Sequence, residues 1–400
     1  MPIHIAVPNG PITDPLCYSP NVSRGIRCLP PEIVLQILSY LAFKDLLAFG
    51  ATCRSNYEYH ITSLSRLRLG IFEKRVHSII SLLQAGWTSP DQLGCWGNDE
   101  QESKCRIFIV HQQRKAKKES PLGTSCSQLD LKKRHVPNLY NRPQSQDQMI
   151  RIQNQILAKV LGRYGLSLQS LEFMAYDLNM EGATALGTKC QHTLRHLALR
   201  FEHPHIRDGL MRPSTWLHPA AANENWNLLI GLGHFKNTGL CSLKSLILER
   251  AGITPWQLMM LVKKNPDLTT LKLRTCRGVR PEFLNWLGGV RNDLDEEVST
   301  ELDGPAPGAK LEALWLEHCQ KLLPSRAEEH DNPFDNLCNS SLGWVKGLKR
   351  LKSLSFSESA DIPSELVDKA NKTAWKIPEC ILPYCLYEEH STIAVDPKWE

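Results

Sequence analysis

The feature that most constrains the fold is a six-residue pattern, Leu-x-x-Leu-x-Leu, in which Phe can replace the last leucine. Its copies are LQSLEF (168–173), LRHLAL (194–199), LKSLIL (243–248), LTTLKL (268–273), LEALWL (311–316) and LKSLSF (351–356). Side chains alternate across a strand, so the last two apolar residues share one face and the residue between them takes the other. Burying three leucines offsets only part of the entropy lost in ordering about 25 residues. The pattern therefore predicts neighbouring strands that share one core.

The spacing of the copies is typical of leucine-rich repeats. From first leucine to first leucine the steps are 26, 49, 25, 43 and 40 residues, and such repeats are about 20 to 29 residues long. Three residues after the last leucine these repeats often carry Asn or Cys, and here Cys276 and Cys319 occupy that position. The other copies have Tyr176, Glu202, Ala251 and Ser359 there. We predict a degenerate leucine-rich-repeat solenoid over 151–362. An ordinary α/β domain with leucine-rich strands is the alternative.

Two segments between the copies of the pattern contain residues that mark the start and end of a helix. Thr254 is a capping residue, Pro255 suits a first helical turn, and the pair Asn265-Pro266 stops the helix after Lys264. A second helix is expected from Pro281 to Leu287, where two glycines follow. Both would cover the outer, leucine-lined side of the strands.

The residues between the leucines are the candidates for binding another protein. They are expected on the concave surface, because the leucines point the other way. Trp315 stands out, since Trp and Arg dominate binding hot spots and a solvent-facing tryptophan has no role in the core. We predict a target-binding core of Arg200, Lys272, Arg274 and Trp315, with burial of Trp315 under another segment as the alternative.

Near the N-terminus, LPPEIVLQILSYLAFKDLLAFGATCR (29–54) predicts a compact helical unit. Pro30 and Pro31 suit a helix start, and Glu32 lies in its electropositive first turn. The following helix is apolar around much of its circumference. A second helix is expected from about Asp45 and a third from about Ser55 to Leu69. About forty residues rarely support a stable core alone, so this unit is expected to need a partner.

This segment resembles an F-box over residues 27–68, without gaps through Arg54. The matching residues are Leu29, Pro30, Glu32, Ile33, Ile37, Leu41, Asp45, Leu46, Cys53 and Arg54. The family pattern has a tryptophan shortly afterwards, whereas this chain has Asn56 and Tyr57 there. The resemblance implies docking on the Skp adaptor of cullin–RING ubiquitin ligases through Leu29, Pro30, Ile33, Ile37, Leu41 and Leu46. A helical hairpin that merely imitates the pattern is the alternative.

The remaining segments are expected to connect or flank these modules. We predict a flexible N-terminus (1–26), a linker helix (69–89), a polar basic insertion (90–150) and a C-terminal segment (363–400). Within the insertion, RKAKK (114–118) and KKR (132–134) resemble a bipartite nuclear import signal, although a solvated loop is the simpler interpretation. DLDEEVSTELD (293–303) is expected to be an acidic surface loop.

No segment predicts catalysis or a bound cofactor. The chain lacks a phosphate-binding loop, a zinc-protease motif and a nucleophile elbow. Cys95, Cys105, His111 and Cys126 cluster loosely, but their spacing fits no closed zinc site. A net charge of +5 is too weak to argue for nucleic acid, and the basic region lacks interleaved aromatics. We expect no enzyme, no cofactor and no metal.

The F-box segment and the predicted repeats together resemble the F-box leucine-rich-repeat class of substrate receptors. The expected architecture of the chain is α+β and multidomain, a small three-helix F-box followed by the α/β solenoid. The resemblance implies a receptor that brings a target protein to a ubiquitin ligase of the SCF type. The alternative is a leucine-rich-repeat scaffold or nuclear regulator that delivers no ubiquitin. No secretory signal or apolar run of membrane-spanning length is visible, so the cytoplasm, the nucleus or both are expected.

Overall fold

The computed structural model of the protein describes residues 29–41, 43–73, 106–111, 146–202, 220–290, 305–323, 342–359 and 361–383. Three short helices come first, namely α1 (Pro31–Ser39), α2 (Phe43–Gly50) and α3 (Arg54–Ser63). Pro31 is the first residue of α1, and the carbonyl of Pro30 accepts the first two hydrogen bonds of the helix, from the N–H groups of Ile33 and Val34. We call α1 to α3 the three-helix unit.

The three-helix unit shares its core with a later helix. Val34, Leu38 and Leu46 are buried together with Leu64 and with Tyr164. Tyr164 is the last residue of α4 (Gln146–Tyr164). The unit therefore packs directly against the rest of the chain, because part of its apolar surface is covered by α4.

Beyond the three-helix unit, nine strands of the described residues form one parallel sheet. Its spatial order is β2-β1-β3-β4-β5-β6-β7-β8-β9. The strands are β1 (Arg66–Glu73), β2 (Arg106–His111), β3 (Ser170–Ala175), β4 (His196–Phe201), β5 (Ser245–Glu249), β6 (Thr270–Arg274), β7 (Ala313–Glu317), β8 (Ser353–Ser355) and β9 (Glu379–Ile381). Strands β3 to β8 coincide with the six copies of the leucine pattern, so those copies were predicted correctly as strands.

Helices cover one face of the sheet. They are α5 (Met180–Lys189), α6 (Asn225–Ile230), α7 (Pro255–Lys264), α8 (Pro281–Leu287) and α9 (Ser364–Ala370). Their buried residues belong to the same core as the leucines of the strands. α7 begins with a reciprocal capping box between Thr254 and Gln257, and both α7 and α8 have the predicted bounds. We call the opposite side of the sheet the leucine-free face.

The strands β3 to β8 all begin with the same backbone arrangement. In each, the carbonyl of the residue that precedes the neighbouring strand accepts hydrogen bonds from two successive N–H groups. The carbonyl of Gln169, for example, accepts from Arg195 N at 2.7 Å and from His196 N at 3.0 Å. Six strands that start identically must present their side chains in the same register.

A second regularity lies three residues beyond the last leucine, at the position occupied by Cys276, Cys319 and Ser359. Each side chain donates to the carbonyl of the last leucine in the preceding copy: Cys276 Sγ to Leu248 O (3.3 Å), Cys319 Sγ to Leu273 O (3.6 Å) and Ser359 Oγ to Leu316 O (2.9 Å). The residue just before this position has a positive φ in four copies, at Arg250, Thr275, His318 and Glu358. This ladder ties each copy of the pattern to the copy before it.

The structure corrects the predicted linker helix and the end of the third helix. α3 ends at Ser63 rather than near Leu69, and residues 66–73 form β1 instead of the start of a helix. Leu67, Leu69 and Ile71 are buried at alternate positions, which is the period of a strand. LSRLRL (64–69) is in fact a further copy of the leucine pattern. The rest of the predicted linker helix, 74–89, lies outside the described residues.

Two further segments predicted as irregular or peripheral contribute to the sheet. Within the predicted polar insertion, residues 106–111 form β2, and α4 begins at Gln146. Within the C-terminal segment, β9 pairs with β8. The sheet therefore extends beyond 151–362 at both edges. The N-terminus, both basic clusters and the acidic loop lie outside the described residues.

Candidate docking surfaces

One side of α1 is apolar and exposed. Leu29, Ile33 and Ile37 retain 39%, 43% and 40% of their accessible surface, whereas Val34 and Leu38 between them are almost fully buried. Pro30 is exposed as well. α1 thus has two apolar sides, of which the core covers only one. An apolar row on a short helix is the surface expected of a docking module.

The structure divides the six predicted adaptor-binding residues into two groups. Leu29, Pro30, Ile33 and Ile37 are exposed, and Leu41 is half-buried against the core. Leu46 retains only 3% of its surface and lies in the core, so its placement on an exposed docking face was wrong. The F-box resemblance indicates which residues belong to the motif, but it does not show which of them the core of this chain buries.

Two further exposed apolar residues of the three-helix unit were not among the predicted adaptor-binding residues. Tyr40, which caps the end of α1, is 54% exposed, and Leu47 of α2 is 38% exposed. Leu46 and Leu47 are adjacent in α2, and only the packing of α2 against the rest of the unit decides which of the two is buried.

A polar contact fixes the three-helix unit to α4. His60 Nε2 lies 3.1 Å from the hydroxyl of Tyr164, and both side chains are buried. The hydroxyl of Ser167 donates to the carbonyl of Ile61 at 2.8 Å. Burial, followed by the nearby charge of Arg163, lowers the pKa of His60, so the neutral imidazole is favoured in this contact.

The position that departs from the F-box pattern lies beside this contact. Asn56 is half-buried and donates from Nδ2 to Thr52 Oγ1 at 2.8 Å. Tyr57 is partly exposed, and the Arg163 guanidinium lies 5.9 Å from its ring centre. Tyr57 therefore supplies an aromatic contact between α3 and α4.

The leucine-free face carries the residues predicted to bind a target. The register of the strands arranges them in two rows. One row contains Glu172, Ala198, Ile247, Lys272, Trp315 and Ser355, and the other contains Met174, Arg200, Glu249, Arg274 and Glu317. The sheet thus brings Arg200, Arg274, Lys272 and Trp315 onto one face.

Trp315 does not face solvent, which corrects its predicted exposure. It is 5% exposed, its indole N–H donates to Ser353 Oγ at 2.9 Å, and the ammonium of Lys272 lies 3.2 Å from its ring centre. Lys272 is buried too. This cation–π contact and hydrogen bond give Trp315 a structural role that a strand pattern cannot reveal.

The two arginines of the predicted site are held by carboxylates. Arg200 lies 3.1 Å from Glu172 and 3.6 Å from Glu249, and Glu172 also pairs with Arg68 at 3.0 Å. Arg274 pairs with Glu358 at 2.8 Å. These charges join β1, β3, β4 and β5 in one chain of ion pairs, with a separate pair beyond β6.

A carboxyl group with a raised pKa, that of Glu202, lies near these ion pairs. Burial raises the pKa of Glu202 to about 7, the carboxylate of Glu249 adds to the effect, and Arg250, Arg200 and Arg274 oppose it. Because the pKa in the folded state exceeds the ordinary 4.5, the folded protein binds this proton more tightly than the unfolded chain. The contribution of this proton to the free energy of unfolding is complete below the pKa of Glu202 in the unfolded chain. It is lost as pH rises through about 7, the pKa in the folded protein.

We expect Glu202→Gln to remove that part of the pH dependence. The amide is neutral throughout, so the free energy of unfolding of the variant should fall less between about pH 5 and pH 8 than that of the wild type. Urea unfolding at several pH values in this window measures the difference. Parallel pH profiles for the two proteins would show that Glu202 titrates normally.

No described helix has the length and apolar character needed to cross a membrane. Within the same residues, no group of three or more His, Cys, Asp and Glu side chains could hold a metal ion.

The comparisons with known proteins concern the N-terminal unit. Residues 26–59 match the family model described as F-box-like, a span that contains α1, α2 and part of α3. No curated protein sequence matches the chain. F-box domains generally bind the Skp adaptor of cullin–RING ligases. The chain therefore carries an F-box-like domain at residues 26–59, joined to an α/β region with a parallel sheet.

Proposed function

We propose that this protein is a substrate receptor of an SCF-type cullin–RING ubiquitin ligase. Its F-box-like domain docks on the Skp adaptor, and its sheet region binds a target protein. The observation that carries the proposal is the exposed apolar side of α1, formed by Leu29, Ile33 and Ile37. These residues belong to the matched domain. Because they are exposed, they do not contribute to the core of the described structure, and an exposed apolar row of this kind is typical of a binding surface.

We further propose that the sheet region is a degenerate leucine-rich-repeat array. Support comes from the parallel strands, the shared leucine core, the identical strand starts and the ladder through Cys276, Cys319 and Ser359. In such arrays each repeat contacts its neighbours and presents one residue per strand in rows. Rows of this kind suit recognition of an extended protein segment.

The chain itself performs no chemistry in this proposal. It raises the local concentration of the target's lysines near the ubiquitin-charged enzyme, which is catalysis by proximity. Arg200, Lys272, Arg274 and Trp315 remain the predicted target-binding core. Since Trp315 and Lys272 are buried, they would act by shaping the face, while Arg200 and Arg274 lie nearer the surface.

Co-purification of the cullin together with target ubiquitination tests the proposal. We expect Leu29→Ala with Pro30→Ala to lose both the adaptor and the cullin, because two exposed anchors of the docking side are removed. The circular dichroism spectrum should stay unchanged, since neither side chain lies in the core. A wild-type protein that binds the adaptor but ubiquitinates none of its bound proteins would instead be a scaffold.

A further inference from the structure

The helices α7 and α8 carry large apolar residues that the core does not cover. Trp256 is 55% exposed, and three further apolar residues remain partly exposed while they pack against the core. The two helices lie next to each other, and each also has one exposed charged residue. These residues, which we call the outer stripe, are Trp256, Met259, Met260, Lys263, Glu282 and Trp286.

The packing of α7 shows that its part of the stripe faces away from the sheet. Three residues of the helix lie in the core. On the side toward α6, Lys264 Nζ donates to the carbonyl of Gly231 at 2.7 Å. Trp256 and Lys263 are the exposed residues of α7, and Met260 lies between them at intervals of four and three residues. Residues at this spacing share one side of a helix, so the three form a single outward row.

Trp286 extends the apolar part of the stripe onto α8. Its ring centre lies 6.2 Å from that of the buried Phe283, and its side chain packs against the same core as Met259 and Met260. These contacts fix the side chains before a partner binds, so little conformational entropy is lost on binding. Tryptophan is also among the residues that contribute most to protein interfaces.

The stripe has opposite charges at its two ends. α7 and α8 each connect two neighbouring parallel strands, so they run in the same direction and their N-terminal ends lie together. Glu282 therefore lies at the same end as Trp256, and Lys263 lies at the other. Within the described part of the chain, neither charge forms an ion pair, and Glu282 makes none with Arg277 or Arg280 in the loop before α8.

We propose that the outer stripe is the contact surface between two copies of this chain. A twofold axis that crosses the helices places the second copy antiparallel to the first, so the apolar residues of the two copies meet. Each Lys263 end then faces the Glu282 end of the other copy, and the helix dipoles favour the same arrangement. A parallel arrangement would place like charges together. The stripe is complementary to itself, as a twofold interface requires. This inference does not depend on the proposed receptor function.

Sedimentation velocity of the purified full-length chain over a range of concentrations tests the proposal. We expect a species of twice the mass of the chain, whose share rises with concentration. Trp256→Glu should raise the dissociation constant at least about 100-fold, because a carboxylate replaces an apolar anchor in both copies. The matched control is Met180→Glu, since Met180 is 65% exposed on α5 and lies outside the stripe. This variant should form the dimer as the wild type does.

Exchange of the two charges tests the antiparallel arrangement. Lys263→Glu and Glu282→Lys should each raise the dissociation constant at least about 10-fold, because two contacts between opposite charges become contacts between like charges. A mixture of these two variants should form mixed dimers of nearly wild-type affinity, since every contact again joins a carboxylate and an ammonium. Circular dichroism should stay unchanged, because both residues are exposed.

Three results would overturn the proposal. They are a wild-type chain that stays monomeric at every concentration, a dimer that Trp256→Glu leaves intact, and single charge variants that do not associate when they are mixed. Adaptor capture measured on the wild type keeps this outcome apart from the receptor function, because a monomeric chain that captures the adaptor refutes the stripe alone.

Discussion

Replacing Ile33 and Ile37 with glutamate is expected to abolish capture of the Skp adaptor by this chain. Both side chains are exposed on the same side of α1, so the change leaves the core of the F-box-like domain intact. In an adaptor complex, two carboxylates would be buried where apolar contacts are expected. Hot-spot residues contribute about 2 kcal/mol or more each, so the affinity should fall by at least about 100-fold.

The measurement is titration of the purified adaptor against wild-type and variant chains. Trp256→Glu is the matched control, because Trp256 is 55% exposed on α7, within the sheet region rather than the matched domain. That variant should bind the adaptor as the wild type does. If the double variant retained wild-type affinity while Trp256→Glu lowered it, the docking surface would lie on the helical side of the sheet.

Arg200→Ala is expected to cost about 3 kcal/mol of the free energy of unfolding. The guanidinium lies between Glu172 and Glu249, and its side chain is only 17% exposed. Removing it leaves two carboxylates near each other in a poorly solvated part of the face, where their repulsion is weakly screened. A loss of target capture in this variant would then reflect damage to the sheet as well as a lost contact.

Urea unfolding measures the effect, and Lys310→Ala is its control. The Lys310–Asp267 pair is 53% and 71% exposed and is screened by solvent, so its removal should cost much less stability than the removal of Arg200. Combining Arg200→Met with Glu249→Gln should recover part of the stability, because Glu172 keeps its ion pair with Arg68 and the second carboxylate beside Arg200 is removed. Equal losses for Arg200→Ala and Lys310→Ala would show that the ion pairs of the face contribute little.

Elements with a strong local signal were predicted well. α7 has a capping residue, a first-turn proline and an Asn-Pro stop, and the structure gives it the predicted bounds. The helical period likewise predicted that α1 is apolar around much of its circumference, and in the structure Ile33 and Ile37 are exposed while Val34 and Leu38 are buried. Caps and periods act over a few residues, so they can be read in isolation.

β1 shows where local interpretation failed although the signal was present. LSRLRL repeats the leucine pattern, and Leu67 and Leu69 pair with Leu171 and Phe173 of β3. Apolar residues from Phe72 onward fit a helical period, which is the basis of the predicted linker helix. A short apolar segment fits both periods, and pairing with a strand about a hundred residues away decides between them.

The sequence by itself determined the F-box-like helices, the leucine face of the sheet and the order of residues along its opposite face. Only the tertiary structure decided which of those residues remain accessible. The F-box resemblance placed Leu46 on the docking face, and the strand period placed Trp315 on an exposed face. In the structure Leu46 enters the core shared with Tyr164, and Trp315 is covered by contacts that include Lys272 and Ser353. Burial depends on partners far apart in the chain, and periodicity carries information only about residues close together.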